Sequence, residues 1–405
     1  MLKNIVIVQD FATINGGNAK VALTSAIYLK KQGYRVIVFS GMAPIYKPLL
    51  EVGVEVYCLE QADILSSNKL LASIRGLWNL VAAKKMAEVL NNLNSSDTIV
   101  HLHGWNKVLS PSIWKPIRKG NFKVVVTLHD FYLFCPTLGL FDYKKKRICN
   151  KKPFSTSCYF CNCDSRNYIQ KIWRNCRQVI QWVELKKYGK FDIIAIGETN
   201  KYLCIKYLKD RIRKCYKILN PIDLNNNDVV DIKSNNTYLF VGRLSTEKGI
   251  DLFCRSLTDL NLKGCVLGDG YLLEKYKKTY PNIRFLGWVD GERKDAAIKN
   301  AKVLVFPSLW YEGAPLTPIE MKSYGIPSIV PDKCAASEII EDGVDGYVFR
   351  IGDIESLKEA ILKFERTDLK EMQERLLQKF DPLTYSMDTH ISELLICYNS
   401  ILNQK

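Results

Sequence analysis

Short apolar runs alternate along this chain with stretches whose apolar positions recur every three or four residues, and the pattern occurs twice over. An unbroken apolar run of strand length fits a strand buried on both faces. Helical spacing between such runs fits crossovers packed on a parallel sheet. The first series predicts strands at 5–8, 36–39, 54–59, 98–102, 123–128 and 193–196. Gly16 and Gly17 predict a tight turn into a helix over 20–31, with Val21, Ala22, Ser25, Ala26 and Leu29 on one face and Gly33 ending it. The second series predicts strands at 238–241, 263–267, 283–285, 303–306, 328–330 and 346–349. The expectation is an α/β protein with two Rossmann-like domains facing across a cleft, its ligand at the carboxyl ends of the strands. The polar stretch 225–236 reads as a loop near the join. This divides the chain into 1–217 and 218–381, with 382–405 expected as a helix returning to the first half.

After the run at 303–306 the sequence continues PSLWYEGAPLTPIEMKSYGIPSIVPD, in which seven residues separate Glu312 and Glu320. Thr317-Pro318-Ile319-Glu320 reads as a helix start, with Thr as N-cap, Pro in the first position and Glu in the third. A helix start at a strand end offers unpaired backbone N–H groups and a positive dipole end to a phosphate. A capping box by itself would equally account for Glu320. Upstream, TYLFVGRLSTEKGIDLF reads as a strand, then Gly242 and Arg243, then Thr246 as a cap with Lys248 in the first helical turn. Lysine there opposes the helix dipole, so local helix energetics do not favour it. Arg243 as a fork and Lys248 as a point charge suit a diphosphate, and they would stabilise charge developing on it as it departs. Leu267-Gly268-Asp269-Gly270 and Phe285-Leu286-Gly287-Trp288 add two glycine turns at strand ends.

The strings VGRLSTEKGID, LGDG, IRFLGWV, EGAPLTPIE, GIPSIV and EIIEDGVDGYVF, in that order, closely resemble the donor-binding domain of family 4 glycosyltransferases, retaining enzymes of the GT-B type. The resemblance covers roughly 217–381 specifically and the first half more loosely. It implies metal-independent, hexosyltransferase-type transfer from a UDP- or GDP-sugar, with no further cofactor. Arg243 and Lys248 would grip the donor diphosphate, Glu320 would bond the ribose, and Glu312 would face the donor sugar. The backbone of Ala314, Pro315, Leu316 and Thr317, beside Gly242, Gly268 and Gly313, would complete the cradle. Asp332-Lys333-Cys334-Ala335-Ala336 departs from the glycines that many relatives carry before the position of Glu338.

In the first half, Gly16 and Gly17 with Asn18 and Lys20 are similar to the family's glycine loop beneath the reacting sugar; an ordinary strand–helix turn accounts for them as well. Asn220-Pro221-Ile222-Asp223 is similar to a short interdomain motif of structural character. Three of the four histidines cluster as HLHGW and TLHDF, both after strand-like runs. His129-Asp130 resembles the family's histidine near the acceptor, which implies that His129 contacts the sugar or orients the acceptor, with His103 supporting it. Cys135, Cys149, Cys158, Cys161, Cys163 and Cys176 are unusually dense. Cys158, Cys161 and Cys163, with Cys135 or Cys149, could bind structural zinc, but lack the paired spacing of a zinc ribbon; free thiols and disulfides stay open.

Composition adds less. The 405 residues are 47% hydrophobic and 25% charged, which excludes a disordered chain. No apolar run reaches membrane-spanning length, and the N-terminal stretch does not read as a leader, so a cytoplasmic protein is expected. The net charge of +16 is uneven: residues 1–217 hold 35 Lys and Arg against 14 Asp and Glu, and the remainder 23 against 28. With YKKKR at 143–147, the basic half predicts an anionic membrane surface as partner, placing the protein on the inner face of the cell membrane. Residues 166–190 predict a helix with Ile169, Ile172, Trp173, Cys176, Val179, Ile180 and Val183 on one face and Lys171, Arg174 and Arg177 on the other. It suits that surface, or the sheet. The acceptor expected is a polyprenyl-diphosphate-linked glycan or polysaccharide precursor. An epimerase or phosphorylase of the same architecture is a second reading. Nucleic-acid binding lacks any recognition motif, and a glycan-binding module would not need a diphosphate clamp.

Overall fold

The computed structural model describes residues 1–62, 69–224 and 228–404. Positions 225–227 of the expected loop lie outside the described residues.

The first half contains β1 (Asn4–Phe11), β2 (Arg35–Met42), β3 (Glu55–Cys58), β4 (Thr98–Leu102), β5 (Lys123–Thr127), a hairpin of β6 (Phe141–Asp142) and β7 (Arg147–Ile148), β8 (Phe191–Ala195) and β9 (Ile212–Lys217). All but the hairpin form one parallel sheet in the order β3-β2-β1-β4-β5-β8-β9. The second half contains β10 (Thr237–Val241), β11 (Lys263–Leu267), β12 (Ile283–Gly287), β13 (Ala301–Val305), β14 (Ser328–Pro331) and β15 (Gly346–Phe349). Their order is β12-β11-β10-β13-β14-β15, again parallel. Central strands are buried on both faces because helices cover both, which is why they read as unbroken apolar runs. The order reverses between β1 and β4 in one sheet and between β10 and β13 in the other, and the crevice at such a reversal is where open α/β sheets bind ligands. The chain is therefore two Rossmann-like α/β units, as the alternating runs predict.

The Met387–Leu402 helix lies on the first sheet, where Ile391, Leu394, Tyr398 and Ile401 share a core with Ile5, Ile7, Leu23 and Ile99. Helix termini differ from the sequence expectation at two places that matter. Thr246–Lys248 is a single 3-10 turn and the helix proper begins at Ile250, because Gly249 takes a left-handed φ of 70°. The Leu316–Ser323 helix begins one residue before Thr317, so Thr317 is no cap, Glu320 is its fifth residue, and no side chain caps it. Pro318 is tolerated there, since the first turn needs no donor.

The Tyr168–Tyr188 helix departs furthest from the expected orientation. Its polar side faces inward: Lys171, Arg177, Gln178, Gln181 and Glu184 are buried, while Ile169, Ile172, Val179 and Val183 are exposed. The reason is a set of unpaired carbonyls under it. Gln178 and Gln181 donate to Tyr132 O at 3.0 Å each, and Arg177 Nη1 donates to Asn106 O at 2.7 Å. The basic face expected to meet a membrane is thus spent on the interior. Among the described residues no helix is long and apolar enough to cross a membrane.

Candidate active site

β10 leads into Gly242 and Arg243, and β13 runs into the loop holding Ser308, Trp310 and Glu312. Two backbone contacts lock these segments together. Leu309 N donates to Glu247 O at 2.8 Å, and a Cβ at Gly249 would stand 1.9 Å from Pro307 O. That approach brings Lys248 to Glu312 across 64 residues: Nζ donates to Oε1 at 2.7 Å, while Ser308 Oγ donates to the same oxygen at 2.6 Å. Glu312 is 8% exposed and left-handed at φ 52°. Burial by itself would raise its pKa, but the Lys248 ammonium and the hydrogen bonds outweigh this and hold it below the usual value.

Arg243 donates to Glu247 Oε1 at 2.6 Å. Both expected diphosphate cations are therefore paired with carboxylates rather than standing free. Glu320 pairs with Lys294 of the Gly291–Lys299 helix and takes no part in a capping box. Gly242 and Gly268 sit against each other: a Cβ at Gly268 would meet Gly242 O at 1.9 Å. Close backbone packing alone thus accounts for Gly268. Among the described residues, no atom beyond the adjoining chain lies within 4 Å of a Cβ placed on Gly16 or Gly17, so packing makes no demand for glycine there.

A cavity of about 180 Å³ opens between the halves, lined by Gly17, Asn18, His129, Asp130, Trp310 and Glu312 among others. A second, of about 200 Å³, shares Gly313, Ala314, Leu316 and Asn220 with it and adds Pro315. Thr317 lines neither. The start of the Leu316–Ser323 helix, which no side chain of the described residues caps, thus meets both cavities at Leu316 and the second also at Ile319.

His103 Nδ1 and His129 Nε2 share a hydrogen bond of 2.9 Å, and His101 is held by Tyr398 at 2.6 Å and Thr127 at 2.7 Å. Burial pushes all three imidazoles down, His129 to about 3, so this cluster is neutral at physiological pH. Asp130 stands next to it. Burial raises its carboxyl to about 6 despite bonds from Tyr132 N and Asn106 Nδ2. Sequence reasoning assigned no role to Asp130, Trp310, Ser308 or Lys294: Asp130 and Lys294 meet Asn106 and Glu320, 24 and 26 residues away, and Ser308 meets Glu312 only because the loop between them folds back.

The cysteine-rich segment does not form a ligand set. Every cysteine is a free thiol, and among the described residues no group of three or more His, Cys, Asp or Glu could hold a metal ion. Instead the thiols of Cys135, Cys158 and Cys163 gather about Lys171, which is 1% exposed and lies 3.9 Å from Cys158 Sγ. Cys161 turns to Asp142 Oδ2 at 3.8 Å, and Cys149 is half-buried. The Lys171 ammonium thus stands beside three of the thiols expected as zinc ligands.

Comparison with known proteins sets this geometry in context. Residues 224–379 match the family described as glycosyl transferases group 1. An uncharacterised 41.2 kDa protein of the cps region of Klebsiella pneumoniae is 26% identical over 75% of this chain and 78% of its own length. The UDP-Gal:alpha-D-GlcNAc-diphosphoundecaprenol alpha-1,3-galactosyltransferase of Escherichia coli is 27% identical over 47% of this chain, which spans 55% of that enzyme. Among solved structures, a Rickettsia africae glycosyltransferase superposes over all of both chains with a TM-score of 0.69 at 18% identity. Anabaena HepE, in complex with UDP, matches 98% of this chain and all of its own with a TM-score of 0.66 at 16% identity.

Proposed function

We propose that this chain, whose residues 224–379 match the glycosyl transferases group 1 family, works as a member of it and moves a sugar from a nucleotide-sugar to a lipid-linked glycan or polysaccharide precursor. The observation that carries the reading is the Lys248–Glu312 pair at 2.7 Å, brought to the switch point of the second sheet beneath an uncapped helix start. Residues 1–217 with 382–405 serve as the acceptor half and 218–381 as the donor half. HepE is described with UDP and the Escherichia coli relative with UDP-galactose and a diphosphoundecaprenol-linked acceptor, which favours UDP over GDP here.

In this mechanism the donor diphosphate lies along the first turn of the Leu316–Ser323 helix. Arg243 turns to it from Glu247, and Lys248, an ammonium with donors to spare, faces it while keeping Glu312, so that both supply the positive charge that stabilises its departure without a metal ion. Glu320 leaves Lys294 to accept from the ribose. Glu312, tied by Lys248 and Ser308, holds the donor sugar and is not free to attack carbon, so no covalent sugar–enzyme bond forms. The sugar–phosphate bond breaks, the acceptor oxygen bonds the same face of the anomeric carbon, and its proton passes to the departing diphosphate. Retention follows. His129, neutral, orients the acceptor hydroxyl.

Attachment to the inner face of the cell membrane is part of the reading, with its surface revised by the structure. The exposed apolar face of the Tyr168–Tyr188 helix continues onto Leu71 and Ile74 of the Lys69–Leu77 helix, joined by Trp173 Nε1 donating to Ser73 O at 3.1 Å. Exposed Arg75 and Lys186 lie on the same two helices, which suits an anionic bilayer rather than a neutral one. Vesicles with anionic lipid should sediment the protein, and Ile172→Asp with Val179→Asp should abolish sedimentation; unchanged binding would refute this surface. The activity is tested with a panel of UDP- and GDP-sugars, with and without EDTA. At least one should be turned over with the anomeric configuration kept. Loss of turnover in EDTA would refute metal independence, and inversion would refute the mechanism.

A further inference from the structure

We propose that Glu338 is an interdomain latch, a positioning residue that holds the cleft closed by capping a helix of the opposite half. The Glu198–Leu208 helix of the first half has Gly197 at its cap and no side-chain cap of its own. Its first two amides are satisfied from across the seam instead. Glu198 N donates to Glu338 Oε2 and Thr199 N to Glu338 Oε1, both at 2.6 Å. A carboxylate at a helix N-terminus gains from the dipole as well as from the two bonds.

The pieces around it fit that contact. Gly197 is extended, with φ −177°, so its backbone makes no demand for glycine. A Cβ there would nevertheless lie 3.0 Å from Glu338 Oε2, so the missing side chain is what admits the carboxylate. Glu338 belongs to the Ala335–Ile339 turn, and Ala335 N donates to the carbonyl of Tyr311, the residue before Glu312, at 2.8 Å. The turn therefore moves with the donor-sugar loop. The same seam is tight at Gly313, whose Cβ would lie 2.9 Å from His129 O, and at Gly139, whose Cβ would lie 3.0 Å from the Trp310 ring. Gly197, Gly313 and Glu338 all line the 200 Å³ cavity. Opening the cleft to admit donor or release product parts Glu338 from the helix and returns two amides to water. Because Glu338 is exposed, these bonds exchange readily with solvent, as a reversible latch requires.

The kinetic part of this proposal rests on the transferase reading above; the conformational part does not. Small-angle scattering should be compared for the parent, Glu338→Ala and the double variant Gly197→Asp/Glu338→Ala, which gives the helix its own N-cap without a bond across the seam. Glu338→Ala should enlarge the mean radius of gyration. The double variant should recover the parent's melting temperature yet stay enlarged. With an accepted donor, both should raise donor KM about three- to tenfold with kcat unchanged or higher. An unchanged radius in Glu338→Ala, or full recovery of the parent radius and KM in the double variant, would overturn the latch and leave Glu338 a local cap. If the radii behave as expected while neither UDP nor GDP binds any variant by calorimetry, the latch stands and the transferase reading falls.

Discussion

Replacing Lys248 by Met separates what the Lys248–Glu312 pair does for the fold from what it does for the donor. Truncating one partner of a buried ion pair leaves an uncompensated charge, at about 3–5 kcal/mol. Lys248 keeps 21% of its side chain exposed and Ser308 still donates to Glu312, so about 2–3 kcal/mol at pH 8 is expected. On a unit of this size that lowers the melting temperature by about 4–12 °C. The pH dependence has a definite sign. In the parent the Glu312 pKa is depressed, so its contribution is present above the unfolded pKa and is lost only in acid. Without Lys248, burial dominates and the pKa rises, so the folded state holds a proton that the unfolded state has lost. The deficit should therefore be smaller at pH 5 than at pH 8. Lys248→Met/Glu312→Gln removes both charges and should return stability to within about 1 kcal/mol of the parent. Donor turnover should be lost in both variants. Thermal unfolding at the two pH values, paired with the donor assay, decides the matter. A deficit equal at both pH values, or greater at pH 5, would show that the ammonium is not what holds the Glu312 carboxylate ionised.

Three further outcomes are expected. Asp130→Asn should stabilise the protein by about 1–2 kcal/mol at pH 8 and by nothing at pH 4, because a carboxyl raised to about 6 disfavours folding as it ionises; denaturant titrations across this range check it. Glu320→Gln should raise donor KM about tenfold with little change in melting temperature, and should erase discrimination between UDP and 2′-deoxy-UDP as product inhibitors; preserved discrimination would remove Glu320 from the ribose. Tyr398→Phe leaves His101 Nδ1 buried without its 2.6 Å partner and should cost about 1–3 kcal/mol in chemical denaturation, while the apolar core and the His390 and Ser400 hydrogen bonds keep the C-terminal helix docked.

Much of the fold was legible along the chain. β4, β11 and β15 have the expected limits, and the other expected strands differ by a few residues, because buried strands leave unbroken apolar runs. β9 escaped notice for the opposite reason: IRKCYK is a half-exposed edge strand, with charges that no core forbids. The candidate site was legible as a set of strings, since glycines and prolines at strand ends mark where backbone must turn.

What only the tertiary structure decided were the partners. The spacing of Arg243 and Lys248 suggested two cations for one diphosphate, whereas folding sets them against Glu247 and Glu312. Glu320 suited a cap by position, but the helix starts a residue early and Lys294 claims it. The Tyr168–Tyr188 helix shows the reason most clearly. Periodicity tells which residues share a face, but not which face turns inward. That choice was made by carbonyls at Asn106, Tyr132 and Leu133, 45 to 71 residues away, whose unmet hydrogen bonds outweighed the burial of Ile169, Ile172, Val179 and Val183.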